Sequence, residues 1–395
     1  MNVRAFLLLG FAAPLAASAG CGDGTETSGS TSSSSSTTGT GGTGSTSTST
    51  GGGGGGCGLT IPATYESLAY EKTAAVELTV RAQLKAFTDP MKAADLDLTV
   101  QPTAAELTAL FDAGSPSLRA ITTPYYAPRV DTSIGVLAGA AGKTWAPVDP
   151  PSGPGGQYGK YLFTAAGTDI RQSIEKGLFG AALYNHAFAL MKGTITEATI
   201  DSLVAIFGAH PSFPQDDKAM TNPDTLVAQY AKRRNKPGAD GPYQTIKKSL
   251  ITAKAAVAAG ASCDGERDAA LATFRQEWEK VIFATVIFYL NDASLKLSTE
   301  PATIDTVSGG LHGYGEVVSF VHGYRGVPQE GKKITDAQID ELLASINAPH
   351  DKPATSYKLA TDAATEIPKL QKAITAIATI YEFSAQELDG FKVSY

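Results

Sequence analysis

The sequence predicts a mainly α-helical protein, a multi-helix bundle-like domain with long irregular loops. Three observations point there. Apolar residues recur at helical spacing in at least seven segments beyond residue 60. Helix punctuation brackets many of these segments, with Thr or Asn-Pro ahead and Gly or Pro behind. Extended pieces are few, and no repeat period suggests a solenoid. The chain has 395 residues, of which 43% are apolar, enough for a substantial core once the N-terminal region is set aside.

That region reads in two parts. Residues 1–20 form a signal peptide: Arg4 supplies the positive start, Phe6 to Ala17 the apolar stretch, and Ala17-Ser18-Ala19 a small-x-small cut that would release a soluble protein. Ala19-Gly20-Cys21 is the competing exit. It is similar to the lipobox end of bacterial lipoproteins, although Ser18 stands where an aliphatic residue is usual. Cys21 is the expected lipidation site, because it opens directly into a long polar tether. Residues 21–56 are almost entirely Gly, Ser and Thr, which cannot bury enough surface to offset chain entropy and so predict disorder. Such a coil reaches roughly 30 Å. No later apolar run has transmembrane length; Val281 to Leu290 is too short.

Residues 57–395 form the folded domain. Of the three cysteines, Cys57 and Cys263 make an even pair if Cys21 is lipidated. A bridge between them would staple the domain's leading strand to a loop between two long helices; two unrelated thiols are the alternative. Helix is predicted from Tyr65 to Phe87, ended by Asp89-Pro90, and from a Thr103/Glu106 cap to Phe111. Residues 124–168 are rich in Pro and Gly and read as an irregular surface excursion with a short hairpin near Tyr158 to Phe163. Helices follow over Ile170 to Met191, Thr194 to Ala209 with Thr196 as cap, Leu226 to Arg234 after Asn222-Pro223-Asp224, and Tyr243 to Ala259. Arg267 to Leu295 is the strongest segment; its middle is apolar on every side, as a central bundle helix requires. Gly313 to Phe320 is helical behind a loose Gly309-Gly310. Thr335 to Ile346 and Ala363 to Phe383, with Pro368 inside, complete the set.

The charge balance excludes one class of partner. With 39 acidic and 32 basic residues, net −7, the chain has no Lys/Arg stripe for nucleic acid. Only five histidines are present. His312 and Glu316 are four apart on one predicted helix face, a spacing at which an imidazole nitrogen and a carboxylate can share a divalent metal. The structural reading is a satisfied His–Glu hydrogen bond, with the surrounding glycines admitting a close helix neighbour. His322 faces largely away. His186 and Glu175, eleven apart on one face, are further metal candidates; the alternative is a core histidine, with Gly177 and Gly180 thinning the opposite surface for another helix. Arg275, Glu277 and Glu279 read as a solvated or paired surface, and Tyr289, Tyr314 and Tyr324 as cleft-lining or packing residues. No Cys-x-x-Cys, His-Glu-x-x-His or Gly-x-Ser-x-Gly occurs. No catalytic residue is assigned, and the reading leans away from an enzyme.

Three stretches resemble a domain family of unknown function from bacterial envelope lipoproteins, distantly related to the imelysin-like proteins. They are Ile61-Pro62-Ala63-Thr64-Tyr65, Ile174 to Ala181 with Tyr184, and Glu277-Trp278 through Tyr289-Leu290-Asn291. Imelysin-like proteins carry Gly-x-His-x-x-Glu; here Gly310-x-His312 is present and the glutamate falls one residue late, at Glu316. The resemblance implies an all-helical, exported, often lipidated protein linked to uptake of iron or another metal, with His312 and Glu316 as the metal positions. The expected function is thus an exported, lipid-anchored binding protein for a divalent or iron-type metal ion or a metal-bearing ligand. The alternative is a structural or interaction module of the envelope without metal, and a hydrolase comes third. The expected partners are the membrane, through the lipid anchor, and envelope proteins or a metal-bearing ligand. The expected location is the cell envelope, as an outer-membrane or periplasm-facing lipoprotein, or else a secreted soluble form.

Overall fold

The computed structural model describes residues 57–214, 220, 223–236 and 240–395. The signal segment, the tether, Cys21 and Asn222 lie outside the described residues. Among those described, α-helix dominates and the sheet is a single two-stranded hairpin.

An extended leading segment precedes a single turn, α1 (Tyr70–Thr73), and the long α2 (Ala75–Leu96). Helix therefore starts later than predicted and runs past Asp89-Pro90. Pro90 deprives the Ala86 carbonyl of its partner, but Met91 and Ala94 beyond it are fully buried and Asp95 is 1% exposed. Burial of that last turn outweighs the local break. α3 (Ala104–Asp112) opens with the Thr103/Glu106 capping box, and a further turn, α4 (Leu118–Ile121), starts at Ser117.

The predicted excursion over 124–168 is partly helix. α5 (Ala127–Ala140) has Pro128 in its first turn, where a missing N–H costs nothing, and buries Val130, Ile134 and Leu137 on one face. The remainder is irregular apart from β1 (Gly156–Tyr158), paired antiparallel with β2 (Tyr161–Phe163).

Three segments then run as one helix: α6 (Ile170–Leu178), a π-helical stretch (Phe179–Tyr184) and α7 (Asn185–Lys192). α8 (Glu197–Phe207) is capped by Thr196 and closed by left-handed Gly208. α9 (Leu226–Arg233), α10 (Pro242–Ala259) and α11 (Asp264–Leu297) follow. At 34 residues, α11 is the strut of the domain, with Trp278, Ile282, Phe283 and Val286 all at 0% exposure. Helices α10, α12, α15 and α9 pack along it.

α12 (Ile304–Gly323) extends two and a half turns upstream of its predicted start, opening at a Thr303/Thr306 cap. Gly309 and Gly310 are inside the helix, where Gly310 faces Leu297 of α11. α13 (Asp336–Ser345), the turn α14 (Lys358–Thr361), α15 (Ala363–Tyr381) and α16 (Ala385–Gly390) complete the body, with Pro368 in the second turn of α15. No helix among the described residues is long and apolar enough to cross a membrane.

Candidate functional site: a buried ionic knot

The interior chemistry concentrates where α6 crosses α12. Glycines let these helices meet. A Cβ on Gly323 would lie 2.2 Å from the Gly177 carbonyl oxygen, and one on Gly315 would lie 2.7 Å from Asp169 Cβ. Backbone thus approaches backbone where any side chain would force the helices apart.

α6 carries the knot. Asp169 caps it, accepting the Gln172 N–H at 2.9 Å, and is itself fully buried. Ile170, Ile174 and Leu178 are buried as expected, but so are Arg171, Gln172, Glu175 and Lys176. Charges at that depth require partners. Arg171 donates to Asp95 at 2.5 Å and to Glu175 at 2.8 Å; Lys176 reaches the other Glu175 oxygen at 2.9 Å. Burial would raise the Glu175 carboxyl, but Lys176 and Arg171 outweigh it and hold it near 2. Burial wins at Asp95: despite Arg171 its carboxyl is pushed up to about 7, with Asp169 adding in the same direction.

His312 and Glu316 face this helix from α12. The His312 Nδ1 meets Asp169 Oδ2 at 2.8 Å, and its ring stacks on Tyr161 with centroids 4.0 Å apart. Its Nε2 lies 3.5 Å from Glu316 Oε1, an oxygen that is buried without a hydrogen-bond partner. Tyr230 of α9 donates to the other oxygen at 3.3 Å. The two motif residues are therefore neighbours, and a carboxylate orients the imidazole, as is usual behind metal-bound histidines. Two donors sharing a tetrahedral cation at ordinary bond lengths sit about 3.4 Å apart, so the spacing fits. The donor set does not: among the described residues no further His, Cys, Asp or Glu joins them in a three-donor group.

Glu175 and His186 are not brought together. Eleven residues of helix separate them by roughly 16 Å along the axis, and the π-helical stretch between them breaks the phase that would have aligned them. Glu175 belongs to the ionic knot. His186 contacts Glu77 of α2 at 3.1 Å, and Ser202 donates to that same carboxylate. His322 is elsewhere again, with Tyr125 on its Nε2 at 2.8 Å.

Tyr314 and Tyr324 are core residues at 0% exposure rather than cleft lining. Glu279 is not on a solvated surface; it is 2% exposed and accepts two backbone N–H groups. Sequence reasoning missed Asp95, Asp169, Arg171 and Lys176. No local signal marked them: Arg171, Gln172, Glu175 and Lys176 fall on one face of α6 opposite Ile170, Ile174 and Leu178, the pattern of an ordinary half-exposed helix.

Cys57 and Cys263 are bonded, with Cα atoms 5.3 Å apart across 206 residues. With Glu266 they form the one geometrically plausible metal-ligating cluster among the described residues, all three donor atoms lying within 4.8 Å of one another. The chemistry opposes the geometry, because a disulfide sulfur has no thiolate to offer a cation. Compared with protein families, with curated proteins and with solved structures, the chain gives no match.

Proposed function

We propose that this chain is an exported interaction module of the cell envelope, a helical body that binds a partner or ligand at the end of a flexible tether. The observation that carries this reading is the Cys57–Cys263 bond at the point where the tether sequence meets the body. Such bonds persist in oxidising compartments, in agreement with an export signal in residues 1–20 and with lipidation at Cys21. In this reading the ionic knot is structural. His312 is locked by Asp169 and Tyr161, and Glu175 neutralises Arg171 and Lys176.

A second reading keeps a metal ion at His312 and Glu316. It is favoured by their 3.5 Å separation and by the buried, unbonded Glu316 oxygen. Metal analysis by mass spectrometry on the chain purified without chelator, then incubated with iron, zinc and copper, separates the two. The interaction reading expects no stoichiometric metal. About one equivalent that disappears in folded His312→Ala/Glu316→Ala would replace it with metal binding. Labelling with a radioactive fatty acid, lost in Cys21→Ser, tests the anchor.

A further inference from the structure

Three side chains meet beyond the end of α13: Asn347, just past that helix, and Glu366 and Lys369 from the first two turns of α15. We propose that they cross-link the chain to itself, through an amide bond between Lys369 Nζ and Asn347 Cγ with Glu366 carrying the protons. The inference does not depend on where the protein resides or on what the ionic knot does.

The backbone places the amide. Asn347 has φ 70°, a left-handed conformation that asparagine tolerates better than most residues. The N–H groups of Asn347 and Ala348 turn back to the carbonyls of Ala344 and Leu343, at 3.4 and 2.9 Å, which is the Schellman closure of a helix. The Thr355 N–H donates to the Asn347 carbonyl at 2.9 Å. Held from both directions, the residue has little freedom in where its side chain can reach.

The side-chain contacts are those that aminolysis of an amide requires. Asn347 Nδ2 donates to Glu366 Oε2 at 2.5 Å, and Lys369 Nζ donates to the same oxygen. Lys369 Nζ also lies 3.4 Å from Asn347 Oδ1. Cγ is one bond from that oxygen, so the amine stands close to the roughly 3–3.5 Å from which positioned groups react. One carboxylate thus touches both the nitrogen that attacks and the nitrogen that leaves, the place of a general base that later acts as acid. Glu366 is 4% exposed, which limits competition from water, while the half-exposed Lys369 leaves an open side for the small product.

The step balances without a co-reactant. The Lys369 ammonium passes a proton to Glu366, and its lone pair attacks Asn347 Cγ, forming the new C–N bond. Glu366 returns that proton to Nδ2 as the Cγ–Nδ2 bond breaks. The two protons that Lys369 loses depart with Nδ2 as ammonium, and nothing is oxidised or reduced. The product joins the end of α13 to α15 across 22 residues of sequence.

Tryptic digestion of the full chain, read by tandem mass spectrometry, tests this. The peptide bearing Asn347 should appear joined to the peptide bearing Lys369, lighter than their sum by one ammonia, with cleavage after Lys369 lost. Lys369→Met and Glu366→Gln should each give the two peptides unlinked. Thermal melting establishes that the variants are folded; the wild-type digest and Lys369→Met, at a half-exposed position, decide the bond even if Glu366→Gln is not. Unlinked peptides with the Asn347 amide intact in the folded wild type overturn the proposal. So does conversion of Asn347 to aspartate beside a free Lys369, which would make water the nucleophile. A link that persists in folded Glu366→Gln overturns the role given to Glu366.

Discussion

At the scale of the single residue, burial and partners decide charge more than sequence neighbours do. Glu279 sits among Arg275, Glu277 and Lys280, yet it turns inward beside Trp278. There it accepts the N–H groups of Lys333 and Ile334 and the Tyr381 hydroxyl at 2.6 Å, pinning the 331–335 turn to α11. Burial still raises its carboxyl above the ordinary range against those three bonds. His322 shows the opposite sign of the same effect. Burial first, then Arg129, His350 and Arg325, bring its ring down to about 3 from 6.5. Folded His322 therefore stays neutral while the unfolded chain takes a proton below about pH 6.5. The unfolded state then binds more protons, so stability is lost as pH falls from that value toward 3. His322→Phe should remove this dependence, flattening the stability–pH slope between pH 6 and 3 by up to about 1.4 kcal/mol per pH unit. Urea unfolding at a series of pH values measures it; an unchanged slope would mean that His322 is protonated in the folded protein.

At the scale of the element, long amphipathic and capped helices were legible and their company was not. The α3 and α8 caps at Thr103 and Thr196 stand where the sequence put them, since capping is a local contest between side chain and backbone. α5 was hidden by Pro128 and its glycines, although Val130, Ile134 and Leu137 spell its buried face. Pro90 misled in the same way, because local breakage was weighed without the burial of Met91. Glycine carries two opposite meanings in these helices. Gly323 lies where an added Cβ meets Gly177 backbone at 2.2 Å, whereas Gly135 of α5 has nothing within 4 Å. Gly323→Ala should therefore destabilise by about 2–3 kcal/mol through forced separation of α6 and α12. Gly135→Ala should stabilise by about 0.5–1 kcal/mol by restricting the unfolded chain. Thermal and urea unfolding of the pair read both signs; equal effects would sink the close-contact account of the α6–α12 crossing. The ionic knot was legible only at Glu175, His312 and Glu316, because Asp95 and Asp169 reach it from other elements through contacts that no spacing rule encodes.

At the scale of the whole molecule, one covalent bond joins what the helices alone leave loose. The disulfide closes a loop of 206 residues that contains α1 to α10 and returns to the foot of α11, along which α9, α10, α12 and α15 pack. In the folded protein its visible effect is small: it fixes a leading segment that makes few other bonds. Its larger effect lies in the unfolded chain, which it prevents from expanding. Chain-entropy reasoning puts that restriction near 5 kcal/mol for a loop of this length, and native disulfides typically deliver about 2–5 kcal/mol. Cys57→Ser/Cys263→Ser should lose an amount in that range. It should also unfold with a steeper dependence on urea, because the uncrosslinked denatured state exposes more surface. The two readouts separate the explanations. A loss of stability with a steeper slope places the effect in the unfolded state. A loss below about 1 kcal/mol with an unchanged slope would show that the bond only ties down the leading segment in the folded protein.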